Sequence, residues 1–187
     1  SDKAIFKGGT SLSKAHKIGN RFSEDIDIAI SDGDSLIGNR SKMLIKKIAK
    51  EMTYGLEEVV VQGVTSKGSR YYKAMYSYPN VLGKSIKETV NIGQLLVEIN
   101  SFANPYPYVS KSIDCFIAQF FRQTNNEDLI KQYGLGEFSL NVLDITRTFI
   151  DKLMSVKRHA ICGSIEQKVR HIYDVVRLYH LPEIKEF

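Results

Sequence analysis

Two stretches of this sequence decide its fold: Lys7-Gly8-Gly9-Thr10-Ser11-Leu12 and Arg21-Phe22-Ser23-Glu24-Asp25-Ile26-Asp27-Ile28-Ala29-Ile30. In the second stretch, Ile26, Ile28 and Ile30 share one parity, and Asp25 and Asp27 share the other. Because successive side chains of a β-strand point to opposite faces, the pattern predicts a strand. Its isoleucines should face a core, and its two carboxylates should project together from the other face.

The pair of carboxylates points to a metal ion. Two like charges this close repel each other unless a cation lies between them. Hard divalent cations suit such a pair, and Mg²⁺ commonly takes one or two carboxylates together with substrate phosphate and water. Asp25 and Asp27 are therefore predicted to hold Mg²⁺, with Mn²⁺ as an alternative ion. The alternative is a pair of solvated strand or turn residues, which most Asp-x-Asp pairs are.

The glycines upstream of the acidic strand point to a phosphate. A turn without Cβ atoms lets an anion approach the backbone closely. A cap at Thr10 or Ser11 would then start a helix over residues 11–18, with its positive N-terminus toward that anion. The alternative is an ordinary tight turn before a helix. The residues predicted to bind phosphate are Lys7, Gly8, Gly9, Thr10, Ser11, Arg21 and Ser23.

The composition of the 187 residues is that of a globular protein, with 43% hydrophobic and 25% charged residues. The net charge of +5 is compatible with a nucleotide or nucleic-acid partner. Cys115 and Cys162 are too few for a disulfide framework, which favours a reduced, cytoplasmic setting. No apolar run reaches the roughly 18 residues of a membrane span, so no membrane partner is expected.

A helix over residues 41–52 is predicted from its apolar spacing. Its inward side should carry Leu44, Ile45, Ile48, Ala49 and Met52. Its outer side carries Lys42, Lys46, Lys47 and Lys50. Such a charged face is either solvated or in contact with a nucleic-acid backbone. Two strands are predicted further on, one with Val59-Val60-Val61 and one over residues 71–78.

Residues 94–102 are predicted to form another strand, and it contains one acid among apolar residues, Glu98. An unpaired buried charge is costly, so this carboxylate needs a partner. Two interpretations are equally supported. From the residues alone, Glu98 is a salt-bridged or exposed residue of an edge strand, whereas the superfamily resemblance described below implies that it is a third metal ligand.

After Asn104-Pro105-Tyr106-Pro107-Tyr108 the spacing of apolar residues changes from strand alternation toward the helical period of 3.6. We place here the boundary between a core lobe, 1–108, and a mainly helical lobe, 109–187. An apolar stripe at helical spacing follows and is predicted to be core: Ile113, Phe116, Ile117, Phe120 and Phe121.

Two helices are predicted near the end of the chain, over residues 145–160 and from Ser164 to about residue 179. The inward stripe of the first is predicted to be Ile145, Phe149, Leu153 and Val156. Lys152 lies at the border of this stripe, and Asp174 lies at a similar border of the last helix. A short turn with Gly163 would pack the helices antiparallel and bring both groups to one opening. A structural Lys152–Asp174 bridge and an Arg170–Asp174 pair are the alternatives.

The Gly-Gly turn, the helix and the Asp-x-Asp strand together resemble the first motif of polymerase-β-like nucleotidyltransferases. The fuller strings quoted above resemble the abortive-infection Eii branch, the toxins of type IV toxin–antitoxin pairs. This branch carries two later marks, an acid-Lys-Leu on a helix and an Asp on the next helix. They correspond here to Asp151-Lys152-Leu153 and to Asp174. The resemblance extends over about residues 6–178.

The resemblance implies an α+β fold, with a nucleotidyltransferase-type mixed sheet and flanking helices followed by the helical lobe. It implies transfer of a nucleoside monophosphate from a nucleoside triphosphate, with Asp25, Asp27, Lys152 and Asp174 as catalytic residues. It also implies tRNA as an acceptor and an antitoxin encoded by a neighbouring gene. An antibiotic-modifying nucleotidyltransferase and a non-catalytic binding module on the same fold are the alternatives.

Overall fold

The structure is a computed structural model that describes residues 2–18, 21, 23–31, 39–79 and 93–187. The chain divides into two compact units. One comprises Ser1–Thr10 and Arg21–Tyr106, and the other comprises Ser11–Asn20 and Pro107–Phe187. Both units contain strands and helices, which is consistent with the predicted α+β class. The division into lobes at residue 108 stays a prediction.

The first unit is built on a mixed sheet with strand order β3-β5-β6-β2-β1, and β4 pairs with β5. Strands β2 and β6 are parallel. The pairs β1–β2, β3–β5, β4–β5 and β5–β6 are antiparallel. Helix α1, Gly8–Lys14, follows β1 directly. The other elements of the unit are β1 Ala4–Lys7, β2 Asp25–Ile30, α2 Asn39–Met52, β3 Glu57–Val59, β4 Ser66–Lys67, β5 Tyr71–Ser77 and β6 Gln94–Asn100.

One face of this sheet is apolar, and register explains why. Ile28 pairs with Ile99, and Ile99 pairs with Tyr72 on the next strand, so the three side chains form one row on one face. All three are buried, as are Ile45 and Ile48 of α2, the helix that contacts β5 and β6. The predicted core face of the acidic strand is confirmed at Ile28 and Ile30, whereas Ile26 is only half-buried.

Two details of the first unit differ from the predictions. Strand β3 ends at Val59, and Val60 is largely exposed, so the run of three valines is not a strand. Met52 at the end of α2 is also exposed. Both residues lie at the ends of their elements, where β propensity and helical spacing do not ensure a packing partner.

The second unit combines helices with an antiparallel strand pair, β7 and β8, in a register from Tyr108 opposite Leu143 to Ile113 opposite Phe138. Strand β7 was not predicted. The elements of the unit are β7 Tyr108–Ile113, α3 Phe116–Gln123, α4 Glu127–Gln132, β8 Phe138–Leu143, α5 Ile145–Ile161, a 3₁₀ helix Ile165–Lys168, α6 Val169–Tyr179 and α7 Pro182–Lys185. None of the helices in the described ranges is both long and apolar enough to cross a bilayer.

The apolar stripe predicted to be core is mostly on the surface. Ile113 ends strand β7, whereas Phe116, Ile117 and Phe120 of α3 are more than half exposed. Ala118 is the one buried residue that α3 contributes. The prediction was wrong because periodicity identifies an apolar side of a helix but does not supply an element to cover it.

Candidate active site

A row of charged residues crosses the other face of the first unit's sheet. Lys7 pairs with Asp27 on the next strand, Asp27 with Glu98, and Glu98 with Lys73. Directly paired residues of neighbouring strands share a face, so these four side chains project from the same side as Asp25, two residues before Asp27. We call Lys7, Asp25, Asp27, Lys73 and Glu98 the charged face.

Gly8 makes room for one of the acids of the charged face. Its φ of +79° is a left-handed conformation that glycine adopts without a steric penalty. A Cβ atom built at Gly8 would overlap the carboxylate of Asp27. The turn and the acidic strand therefore meet at this point, with no side chain between the Gly8 backbone and the Asp27 carboxylate.

Gly9 makes the corresponding room for the residues that precede the acids. A Cβ atom there would lie 2.6 Å from Nη2 of Arg21 and 2.8 Å from Oγ of Ser23. The guanidinium and the hydroxyl thus lie against the glycine backbone. The structure brings together these predicted phosphate-binding residues, although they are more than ten positions apart in the chain.

Thr10 joins the two stretches rather than capping a helix. Its Oγ1 donates to Oγ of Ser23 at 2.9 Å and also contacts the carbonyl oxygen of Asp25. Helix α1 already begins at Gly8, and Ser11 is fully buried within it. The predicted cap at Thr10 or Ser11 is therefore wrong, because the Thr10 hydroxyl is engaged by the strand that follows the helix.

Glu98 is held by two neighbours on its own face of the sheet. Its Oε1 lies 2.5 Å from Nζ of Lys73, and its Oε2 accepts a hydrogen bond from the Tyr71 hydroxyl at 3.4 Å. Glu98 is salt-bridged, as one of the two interpretations had it, but its strand is central, between β5 and β2, and not an edge strand. Burial opposes the charge of Lys73, yet the hydrogen bond and charge of Glu98 outweigh it and raise the pKa of Lys73.

The carboxylate oxygens of the charged face are the kind of ligand that Mg²⁺ prefers. Among the described residues, no three carboxylate, imidazole or thiolate side chains converge as a metal site. Asp25 and Asp27 are the predicted protein ligands, and phosphate and water would complete the coordination, as is usual for Mg²⁺. The Gly8 backbone lies directly against the Asp27 carboxylate, so the glycine turn and this acid adjoin each other. The assignment of Glu98 as a third ligand stays a prediction.

Lys152 and Asp174 meet inside the second unit. Nζ of Lys152 lies 2.7 Å from Oδ2 of Asp174, and the two residues are only 6% and 4% exposed. The bridge that the sequence analysis gave as an alternative is present between these helices, whereas the predicted stripe of α5 is not. Leu153 is 40% exposed, and Thr148 and Lys152 are buried in its place. The buried face is thus turned by one residue, with the Lys152–Asp174 pair in the interior. A catalytic role for the pair stays a prediction.

The sequence analysis missed the partners of Glu98. Tyr71 and Lys73 share one parity of β5, opposite to the buried Tyr72 and Tyr76, so alternation alone places them on the polar face. Only the register of β5 against β6 shows that Lys73 stands opposite Glu98.

The mixed sheet, with its glycine turn against an acidic strand, is consistent with an α+β nucleotidyltransferase fold. A family model described as "Nucleotidyl transferase AbiEii toxin, Type IV TA system" matches residues 1–186. This chain belongs to that family, as the motifs predicted. The family indicates nucleotidyl transferase activity and implies an antitoxin partner. No curated protein matches the chain.

Proposed function

We propose that this protein transfers a nucleoside monophosphate from a nucleoside triphosphate to an acceptor hydroxyl, in a reaction that depends on Mg²⁺ held by Asp25 and Asp27. One observation carries the proposal. The carboxylate of Asp27 lies against the Gly8 backbone, so the turn predicted to bind phosphate and the acidic strand meet at one place. A site of this kind can bind a triphosphate and a divalent ion side by side.

In this reaction the acceptor oxygen attacks the α-phosphorus and the bond to the β-phosphate oxygen breaks. Pyrophosphate leaves, and the acceptor's proton passes to a base or to water. The divalent ion, when bound, supplies charge neutralisation for the triphosphate. Gly8 and Gly9 let Asp27, Arg21 and Ser23 pack against the turn, while Lys7 and the guanidinium of Arg21 would supply positive charge to the phosphates.

The roles of Lys152 and Asp174 in catalysis rest on the resemblance. A lysine held by a carboxylate keeps its position and its charge, which are the properties needed to stabilise a leaving pyrophosphate. Asp174 would position Lys152 or accept the acceptor's proton. The 2.7 Å contact supports the first of these two roles.

The direct test uses the full chain, nucleoside triphosphates labelled at the α-phosphate, Mg²⁺ and total cellular RNA. Label should enter an acceptor, and the same label at the γ-phosphate should not. Asp27→Asn should lower transfer about 10³-fold, since a bound metal contributes several kcal/mol to the transition state. Asp128→Asn on exposed α4 is the matched control. Full transfer in excess EDTA or by Asp27→Asn would refute the proposal.

We further propose that the protein is the toxin of a type IV pair, with a cognate antitoxin encoded by a neighbouring gene and RNA, such as the 3′ end of tRNA, as acceptor. The family supports the first part. The positive net charge and the exposed lysines of α2 support the second: Lys42, Lys46, Lys47 and Lys50.

The acceptor class is tested by the salt dependence of binding. RNA held through its phosphates releases counterions, so its affinity should fall steeply between about 50 and 200 mM salt. Loss of the α2 lysines by substitution with glutamine should flatten that slope. RNA affinity that does not change with salt, with label on a small hydroxylated compound, would favour the antibiotic-modifying alternative.

A further inference from the structure

Two aromatic rings stack beside the charged face. The ring centroids of Tyr71 and Phe102 are 5.8 Å apart, and the ring planes differ by 21°. Tyr71 is on β5 and is partly buried, whereas Phe102, just beyond the end of β6, is 60% exposed. The stack therefore presents open aromatic surface at the edge of the candidate site.

The position of Phe102 is set by hydrogen bonds of the backbone around it. The amide of Ser101 donates to the carbonyl of Arg70 at 3.0 Å. The guanidinium of Arg70 donates back to the Ser101 carbonyl, and Ser101 Oγ bonds Ser41 Oγ at 3.0 Å. Phe102 thus lies outside a strand but on a tethered segment, so its ring is pre-organised for a ligand.

The stack is close to the carboxylates. The Tyr71 hydroxyl donates to Glu98, which pairs with Asp27 on the charged face. Tyr71 itself pairs with Asn100, and Asn100 with Ala29, two residues beyond Asp27. From strand spacing and rise, the Cα atoms of Tyr71 and Asp27 are about 12 Å apart. Such a separation suits a ligand with phosphates at one end and a flat ring at the other.

We propose that the Tyr71–Phe102 stack is the platform for the base of the incoming nucleoside triphosphate. This inference rests on the proposed function, which places the phosphates at Gly8 and the acidic pair. Tyr71 covers one side of the Phe102 ring, and the exposed remainder is available to a nucleobase. Because stacking uses the π face that every base has, the platform distinguishes nucleotides from inorganic polyphosphate rather than one base from another.

The test compares binding of ATP and of inorganic tripolyphosphate, both with Mg²⁺, to the full chain by calorimetry. Phe102→Ala should weaken ATP about 5- to 100-fold, the range of one base–aromatic stack, and leave tripolyphosphate unchanged. Phe102→Leu, which keeps apolar volume without a π face, should behave like Phe102→Ala. Phe120→Ala is the matched control, since Phe120 is 58% exposed and lies 6.1 Å from the ring of Phe121.

A second readout is spectroscopic. The chain contains no tryptophan, so Phe102→Trp introduces a single indole whose fluorescence should be quenched by ATP and not by tripolyphosphate. It should also retain ATP affinity within about threefold, because indole stacks as well as phenyl.

The outcomes separate the platform from the proposed function. If wild type binds neither ATP nor tripolyphosphate, the proposed function fails and the platform fails with it. If wild type binds both but Phe102→Ala and Phe102→Leu bind ATP normally, the platform alone is refuted. Weaker RNA binding with normal ATP binding in these variants would also refute it, because the ring would then serve the acceptor.

Discussion

Two lysine–carboxylate salt bridges in this protein have almost the same contact distance but differ in their exposure to solvent. Lys73–Glu98 lies on the charged face, with a contact of 2.5 Å and side chains 27% and 23% exposed. Lys152–Asp174 lies between α5 and α6, with a contact of 2.7 Å and side chains 7% and 5% exposed. The comparison shows that access to water, rather than contact distance, distinguishes the two pairs.

Solvent access changes what each pair contributes to stability. Water can solvate Lys73 and Glu98 if one of them is removed, so the pair is worth little to folding. Loss of one member of the buried pair leaves a charge without solvent or partner, which is far more costly. The charged face should therefore tolerate substitution in stability, and the helical pair should not.

The largest expected effect is on folding. Asp174→Ala should lower the free energy of unfolding by about 3–5 kcal/mol, because it leaves the Lys152 ammonium buried. Glu98→Ala should cost about 1 kcal/mol or less. Urea unfolding of both variants gives the two values. Equal losses would show that burial does not distinguish the pairs.

A double variant separates folding from function in the buried pair. Lys152→Met with Asp174→Leu replaces both charges by apolar groups, and its stability should lie within about 1–2 kcal/mol of wild type. If the pair is catalytic as proposed, label transfer by this folded variant should fall about 10²-fold or more. Near-normal transfer would make the second unit's pair a purely structural element.

A smaller effect is expected from the glycine that contacts the charged face. Gly8 and Gly63 both have φ of +79°, but a Cβ atom meets Asp27 at Gly8 and open space at Gly63. Gly63→Ala should cost about 1–2 kcal/mol from the left-handed backbone alone. Gly8→Ala should lower the free energy of unfolding by about 1 kcal/mol more than Gly63→Ala does, because its Cβ atom also overlaps Asp27. It should also reduce transfer, whereas Gly63→Ala should not. Equal stability and equal transfer in the two variants would show that the Gly8–Asp27 contact has no consequence.

The smallest effect concerns a third basic side chain, that of His16, whose hydrogen-bond partner is an uncharged backbone carbonyl. His16 donates Nε2–H to the carbonyl of Leu143 at 3.0 Å. Burial lowers its pKa below the ordinary 6.5, aided by Lys111 and opposed by the hydrogen bond and by Asp144 and Glu183.

The unfolded chain therefore binds more protons at His16 than the folded chain does, so stability rises with pH. The contribution of His16 is complete above pH 6.5 and is lost as the pH falls below it. Melting temperatures of wild type should decrease from pH 7.5 to pH 5.5 more than those of His16→Gln. Parallel curves would show that His16 is not the group responsible.

Much of the candidate site is local in sequence and was predictable. The alternation in β2 places Asp25 and Asp27 on one face, and the two glycines identify a turn that can approach an anion. The pairing of Lys152 with Asp174 was also predictable, because each lies beside apolar positions of two helices joined by a short turn. Such features depend on strand parity and helical spacing, which act over a few residues.

The remaining features depend on contacts between distant residues. Periodicity gave α3 an apolar side, but Phe116 and Phe120 on that side remain more than half exposed. Lys73 is the partner of Glu98 only because β5 and β6 pair in one register, and a slip of one residue would put Lys73 on the opposite face. Leu153 lost its predicted inward position to Lys152, because the ion pair with Asp174 formed inside.

The sequence by itself determined the family, the acidic strand and the glycine turn, because each is a short pattern whose geometry follows from the backbone. Only the tertiary structure decided that Asp27 lies on Gly8, that Lys73 neutralises Glu98 and that Phe102 stacks on Tyr71. These contacts join residues far apart in the chain. They depend on strand register and on which surfaces find a neighbour, and neither is a property of any local segment.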